Sequence, residues 1–485
     1  MVECDVEAGK LELTWNEKTR DLGVIPSIIT LEDWVRPTPK PAALTHLAGQ
    51  LIVGSLAPVT RALLSNERPR FVSGGGPTKG RFTDTITDAV RWVLELDGTC
   101  IPIQGPPGTG KTWMGAKLIH ALVKAGRRVG VTAMSHAAID NLLAQTLTAF
   151  EDEGDIDLLH GVRHNPSDSM PEHPALAPSR SAKTSADPKY NLVAGTSWFF
   201  ANEAMREQPV DVLIIDEAGQ LALADAVSTT GGAHNLVLLG DPSQLAQVAS
   251  ASHPNGSGVS VLQHVLGEHT TVPDDRGVFL SVTRRMHPHL CEFISSAIYD
   301  GRLTAHESCA AQGTAFGTGL RWLRAEHSAR SKESPEEAAL VAHQIRQMIG
   351  ASWTDKDGIS HLLGAEHFMV VAPYNDQVAL IRQTLEADAR TRGVRVGTVD
   401  KFQGQEAPIV FFTMTTSTAA DMPRDPKFLF SRNRLNVALS RARCLAFLVS
   451  TEELLNSRAA NLDDMRLIST VCAAVEYVNA GGEKA

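Results

Sequence analysis

An α/β fold of two consecutive domains, each a parallel sheet with helices on both faces, is predicted by two observations on this 485-residue sequence. Short runs such as "DVLIID" and "NLVLLG" are almost continuously apolar, which leaves no strand face for water and places them inside covered parallel sheets. Such runs alternate with helix-length segments in two successive series, over residues 81–275 and again over 276–485. The length agrees, because domains run to about 100 to 200 residues each.

The elements follow in order. Residues 1–80 form an N-terminal extension. In it "KLELTW" alternates like a short strand, and "LTHLAGQLIVGSLAPVTRALL" reads as an amphipathic helix interrupted at Pro58. "SGGGPTKG" separates the extension from the first domain, whose strands are "CIPIQ", "RVGVTA", "NLVAG", "DVLIID" and "NLVLLG". Between 150 and 190 the chain is polar and rich in Pro and Ser, and a flexible surface insertion of low order is expected there. The second domain takes "HFMVVAP", "VRVGTV", "PIVFFTM" and "CLAFLVS" as strands, with helices near 287–298, 374–387 and 434–442.

Composition narrows the function classes. Lys+Arg 45 against Asp+Glu 55 gives a formal net charge of -10, so a polyanion would need a local basic groove. The N-terminus has no apolar signal core and no window reaches the length of a membrane span, so a soluble, cytoplasmic protein without a membrane partner is expected. The six cysteines, at 4, 100, 291, 309, 444 and 472, contain no C-x-x-C pair and read as reduced and structural. His287, His289 and Cys291 of "MHPHLC" do not share one helix face, which argues against a metal site.

The chemistry lies in motifs. "CIPIQ" runs into "GPPGTGKT", a strand, loop and helix start that satisfy G-x-x-x-x-G-K-[ST]. Gly105, Pro106, Pro107, Gly108, Thr109 and Gly110 would wrap phosphate oxygens with backbone amides. Lys111 would reach the outer phosphates and Thr112 would hold magnesium. Asp216 and Glu217 end a buried strand, where Asp216 would bind the same magnesium and Glu217 would deprotonate the attacking water. Paired acids at a strand end also read as a helix cap. Gln244 of "GDPSQL" is a polar group suited to a γ-phosphate or the water. Arg285 of "RRMHP" and Arg441 of "LSRAR" can both reach the γ-phosphate if ATP lies between the two domains. Arg434 and Arg441 are seven apart, and one helix face would carry both; a solvated, salt-bridged helix is the competing reading.

In this order, "QGPPGTGKT", "AMSHAAIDNLL", "VAGTSWFFA", "DEAGQ", "GDPSQL", "RRMHP", "VVAPYNDQ", "VGTVDKFQGQE" and "RLNVALSRAR" resemble the motif series of superfamily 1 helicases of the nonsense-decay and flap-processing type. "GTVDKFQGQEAPIV" with "FLFSRNRLNVALSRA" resembles the helicase half of bacterial fusions that carry a RecB-like nuclease in front. The resemblance implies two tandem RecA-like P-loop domains, ATP and Mg2+ as cofactors, and a monomeric motor travelling 5′ to 3′ on single-stranded nucleic acid, DNA before RNA. It further implies strand contacts at Ser135, His136, Asn141, Gly195, Thr196, Pro373, Tyr374 and Thr398, and coupling through Gly404 and Glu406. Residues 1–80 are too few for that nuclease, which in the alternative clamp reading would be supplied by a partner.

Two departures concern the base of the nucleotide. Relatives place glutamine upstream of the phosphate loop, where this chain has Ile86, and an aromatic residue where it has Arg284, which can stack by cation-π contact. Besides a helicase, the same motifs suit an ATP-controlled clamp that grips a strand without unwinding.

Overall fold

The computed structural model describes residues 3–5, 10–12, 38–245, 253, 257–402, 404–423, 426–459 and 461–481. Met1–Thr38 and Pro39–Ala485 are separate compact units. In the first, Glu3–Asp5 pairs antiparallel with Lys10–Glu12, so the strand expected in "KLELTW" is present over its first three residues. Residues 13–15 lie outside the described residues.

The described residues of the second unit form two large parallel sheets, beside a two-stranded parallel pair and a three-stranded antiparallel sheet. In the first, eight strands lie in the order Val278–Phe279, Cys100–Gln104, Ala233–Gly240, Val210–Ile215, Val129–Thr132, Leu192–Ala194, Gly161–His164 and Leu176–Ser179. Every neighbouring pair is parallel. The second sheet has five parallel strands, in the order Gly319–Arg324, Ala442–Ser450, Ala407–Thr413, Phe368–Ala372 and Arg395–Thr398. Every residue of Cys100–Gln104, Phe368–Ala372 and Ala407–Thr413 is buried, as continuous apolar strands require. The architecture is thus two tandem RecA-like lobes. One apolar cluster runs unbroken from the first lobe into the second through residues such as Leu262, Phe279, Met286 and Leu439, while a further cluster covers the outer face of each sheet.

Three expectations change. Residues 150–190 are no loose insertion: Gly161–His164 is a fully buried strand paired on both sides. Its polarity is accounted for by Arg163, whose buried guanidinium pairs with Asp140 at 2.8 Å. Pro58 does not interrupt one helix; it opens a second, Pro58–Leu64, after Lys40–Ile52, because a proline fits the first helical turn. Both helices dock on the first lobe, where Lys40 pairs with Asp225 at 2.8 Å and Thr60 donates to Thr230 at 2.8 Å. Finally, the arginine-rich helix is Arg432–Leu439 and stops before Arg441. The Arg441 carbonyl accepts from Ala407 N at 3.0 Å, and Ala407 pairs with Ala442, so the sheet takes the chain away from the helix.

Candidate active site

The phosphate-type loop leaves the buried strand Cys100–Gln104 and opens the helix Lys111–Lys124. Gly108 (φ 77°) and Gly110 (φ 84°) take left-handed backbone angles that suit glycine. Gly108 is further constrained by the second lobe: a Cβ there would stand 2.5 Å from Arg285 Cβ. Across this junction Thr283 donates to Pro107 O at 2.8 Å and Arg284 N to Gly108 O at 2.8 Å. The helix has neither a side-chain cap nor an acid in its first turn, so its leading N–H groups and dipole face the cleft. Lys111 Nζ arches back to Gly105 O at 2.6 Å.

Asp216 and Glu217 follow the strand Val210–Ile215. Asp216 is 4% exposed and accepts from Glu217 N at 2.9 Å. Burial, and then the Glu217 carboxylate beside it, push its carboxyl up to about 7, against the pull of Lys111. An acid so placed gains most from a bound cation. Thr112, the other expected magnesium ligand, lines the cavity between the lobes, whose lining includes Glu217 but not Asp216. Glu217 has φ 51°, a strained angle for a side chain with a Cβ, and it lines the cavity between the lobes.

One cavity between the lobes is lined by the loop from Pro106 to Thr112, by Glu217 and Gln244 of the first lobe, and by Arg285, Gly404 and Arg441 of the second. Arg441 is 3% exposed, its Nε has no hydrogen-bond partner, and burial, then neighbouring Arg285, bring its guanidinium down to about 10. Arg285 Nε donates to Glu406 at 2.7 Å, and Arg443 stands 3.9 Å from the same carboxylate. Two guanidiniums therefore crowd one side of a cavity whose opposite wall is a helix N-terminus and a lysine. The arrangement suits a polyanion with phosphate dimensions.

Gln244 Nε2 donates to Asp241 at 3.1 Å, and the side chain lines the cavity between the lobes. Asp241 also accepts from Tyr299 OH at 2.6 Å, Ser243 N at 3.1 Å and Gln104 Nε2 at 3.3 Å. Tyr299 OH in turn accepts from Asn436 Nδ2 at 2.7 Å. This buried chain runs from the Gln244 segment into the arginine helix, and sequence reasoning missed it. Asp241 was legible beside Gln244 in "GDPSQL", whereas nothing local marks Tyr299 or Asn436.

A second cavity of about 600 Å³ adjoins the loop, with Ile86, Trp113, Met114 and Leu280 as apolar wall and Arg284 at its edge. It is roomy enough for a nucleobase beside the phosphates.

The strand-contact candidates divide. Ser135 and His136 are exposed at the start of the helix His136–Asp152, where Ser135 also caps it by accepting from Ala138 N at 3.1 Å. Gly195 and Thr196 follow Leu192–Ala194 at the same end of the sheet, Gly195 buried beneath Phe199. Pro373, Tyr374 and Thr398 line a cavity of the second lobe with Lys332, Phe428 and Arg434. There Tyr374 stacks on Phe428 at 5.6 Å and Arg434 lies over the Phe428 ring at 4.3 Å. Asn141 is the exception: it lines the cavity between the lobes. Five residues beyond His136, it is turned to another helix face. His287 of "MHPHLC" caps the helix Pro288–Ile298.

Among the described residues, no helix is long and apolar enough to cross a membrane. Two family models described as AAA domains match, one over residues 84–255 and one over 258–453, the second taking in the last strand of the first sheet in chain order, Val278–Phe279, as well as the second sheet. The chain is 27% identical over 447 residues to the DNA-binding protein SMUBP-2 of Rattus norvegicus, covering 77% of this chain and 43% of the relative. It is 25% identical over 384 residues to the DNA replication ATP-dependent helicase/nuclease JHS1 of Arabidopsis thaliana, covering 73% of this chain and 27% of that protein. The chain thus spans less than half the length of either relative. A solved arterivirus nonstructural protein 10 helicase in complex with DNA matches at 16% identity and a TM-score of 0.40, over 76% of this chain and 62% of that one.

Proposed function

We propose that this chain is a superfamily 1 helicase, an ATP-driven motor that moves along single-stranded nucleic acid, DNA before RNA, and separates the duplex ahead of it. One observation supports this above all: the phosphate loop, Glu217 and Gln244 of one lobe and Arg285 and Arg441 of the other line a single cavity.

The chemistry follows from what each side chain can do there. Backbone amides of the loop and Lys111 hold the β- and γ-phosphates. Asp216 and Thr112 would hold magnesium, which would supply charge to draw electrons from the phosphate oxygens. Glu217 takes the proton of the attacking water while the Gln244 oxygen accepts its second hydrogen. The water oxygen bonds to the γ-phosphorus, the bond to the β-γ bridging oxygen breaks, and ADP and phosphate leave. Arg285 and Arg441 spread positive charge over the equatorial oxygens, a contribution of about 10³ to 10⁵ in rate for such arginines.

Because the arginines and the loop stand on different lobes, loss of the γ-phosphate loosens the cleft. That shifts the strand grip at Ser135, His136, Gly195 and Thr196 relative to the grip at Pro373, Tyr374 and Thr398. The 5′ to 3′ direction and the monomeric state rest on family likeness, and a cytoplasmic setting and a nuclease working beside the motor are further parts of the proposal. ATP turnover measured with and without single-stranded DNA and RNA, followed by unwinding of 5′-tailed and 3′-tailed duplexes, tests the proposal. Strand-stimulated turnover with unwinding from a 5′ tail is expected; no turnover on either strand contradicts it, and turnover without unwinding leaves the clamp.

A further inference from the structure

His136 is exposed at the end of the first sheet where the strand is proposed to lie, yet its ring is held from behind. Arg163, with 0% of its side chain exposed, donates from one terminal nitrogen to His136 Nδ1 at 3.0 Å. The rest of the guanidinium is engaged too: Nε donates to Asp140 at 2.8 Å and the other terminal nitrogen to His164 O at 2.7 Å. Asp140 is fixed from its far side by the Ser167 and Ser169 hydroxyls. Arginine nitrogens only donate, so His136 Nδ1 must keep its lone pair and the ring proton must sit on Nε2.

From this we infer that Arg163 is a positioning residue that locks His136 as the neutral Nε2–H tautomer, presenting one fixed N–H donor to the single strand. Burial, and then the Arg163 charge, hold the ring below the ordinary imidazole range, with Asp140 the opposing charge. The group gripping the strand is thereby a directed hydrogen-bond donor and not a titrating cation. A pyrimidine carbonyl or a phosphate oxygen of the strand is the acceptor such a donor takes. The buried strand Gly161–His164 thereby acquires a role, since it carries the arginine to the back of the strand-binding loop.

The inference rests on the single-strand reading above, and the test separates the two. The whole protein labelled with ¹⁵N-histidine, its His136 signals assigned by their loss in His136→Gln, is titrated with oligodeoxythymidylate while strand binding is followed by anisotropy. Expected in the free protein at neutral pH is a proton on Nε2 and none on Nδ1, with the Nε2 signal moving as the strand binds. His136→Leu should weaken strand binding about ten-fold, and His136→Gln, which retains an N–H at similar reach, by less. A proton on Nδ1, or a doubly protonated ring at neutral pH, overturns the inference. So does an unmoved Nε2 signal while the strand binds, which leaves the motor reading intact. No strand binding at all overturns both.

Discussion

Glu217 and Asp216 are adjacent and differ in burial and backbone, which divides their roles. Glu217→Gln keeps the shape of the side chain and removes the base, so turnover should fall about 10² to 10⁴-fold while nucleotide still binds. Steady-state hydrolysis beside titration with a fluorescent ATP analogue checks this. Asp216 makes a pH prediction. Folding lifts its carboxyl from the ordinary value of about 4 up to about 7, so between those limits the folded chain holds a proton that the unfolded chain has released. Raising pH through that window therefore favours unfolding. Without magnesium, the melting temperature of the wild type should fall relative to Asp216→Asn from acid to neutral pH, and magnesium nucleotide should reverse the trend. Parallel curves would show that the carboxyl is ionised throughout.

At the scale of elements, the main strands were legible because a covered parallel strand has to be apolar on both faces; "DVLIID" and "NLVLLG" could hardly be anything else. The strand Gly161–His164 was hidden for the opposite reason. Its Arg163 and His164 read as surface, and the arginine's burial is made tolerable by the distant Asp140 carboxylate, with His136 Nδ1 and the His164 carbonyl taking its other nitrogens. Arg441 was misplaced because helical spacing cannot register that Ala407 and Ala442 pair and draw the chain into the sheet. The phosphate loop and acid pair were legible as local motifs, whereas Tyr299 and Asn436 acquire their place from tertiary packing alone. The buried pair yields a stability prediction. Arg163→Met strands the Asp140 carboxylate and should cost about 3 to 5 kcal/mol, and adding Asp140→Leu should recover part of it. Denaturant unfolding of both variants checks this, and an additive loss would contradict it.

Across the whole molecule, a net charge of -10 means that the strand of the proposed function would have to be held by local groups, and Lys332 and Arg434 line a cavity of the second lobe. Affinity for single-stranded DNA should then fall linearly with the logarithm of salt, with a slope of about -0.7 per phosphate neutralised. Anisotropy titrations over a salt series measure it, and a flat line would remove the ionic grip. The larger claim is that one nucleotide answers to both lobes. Its most direct test is a double-mutant cycle on strand-stimulated ATP turnover with Glu217→Gln, Arg441→Ala and the double variant. If both side chains act on one transition state in one cavity, the double variant should lose scarcely more rate than the worse single variant. Losses that simply multiply would place Glu217 and Arg441 in independent roles and contradict the account.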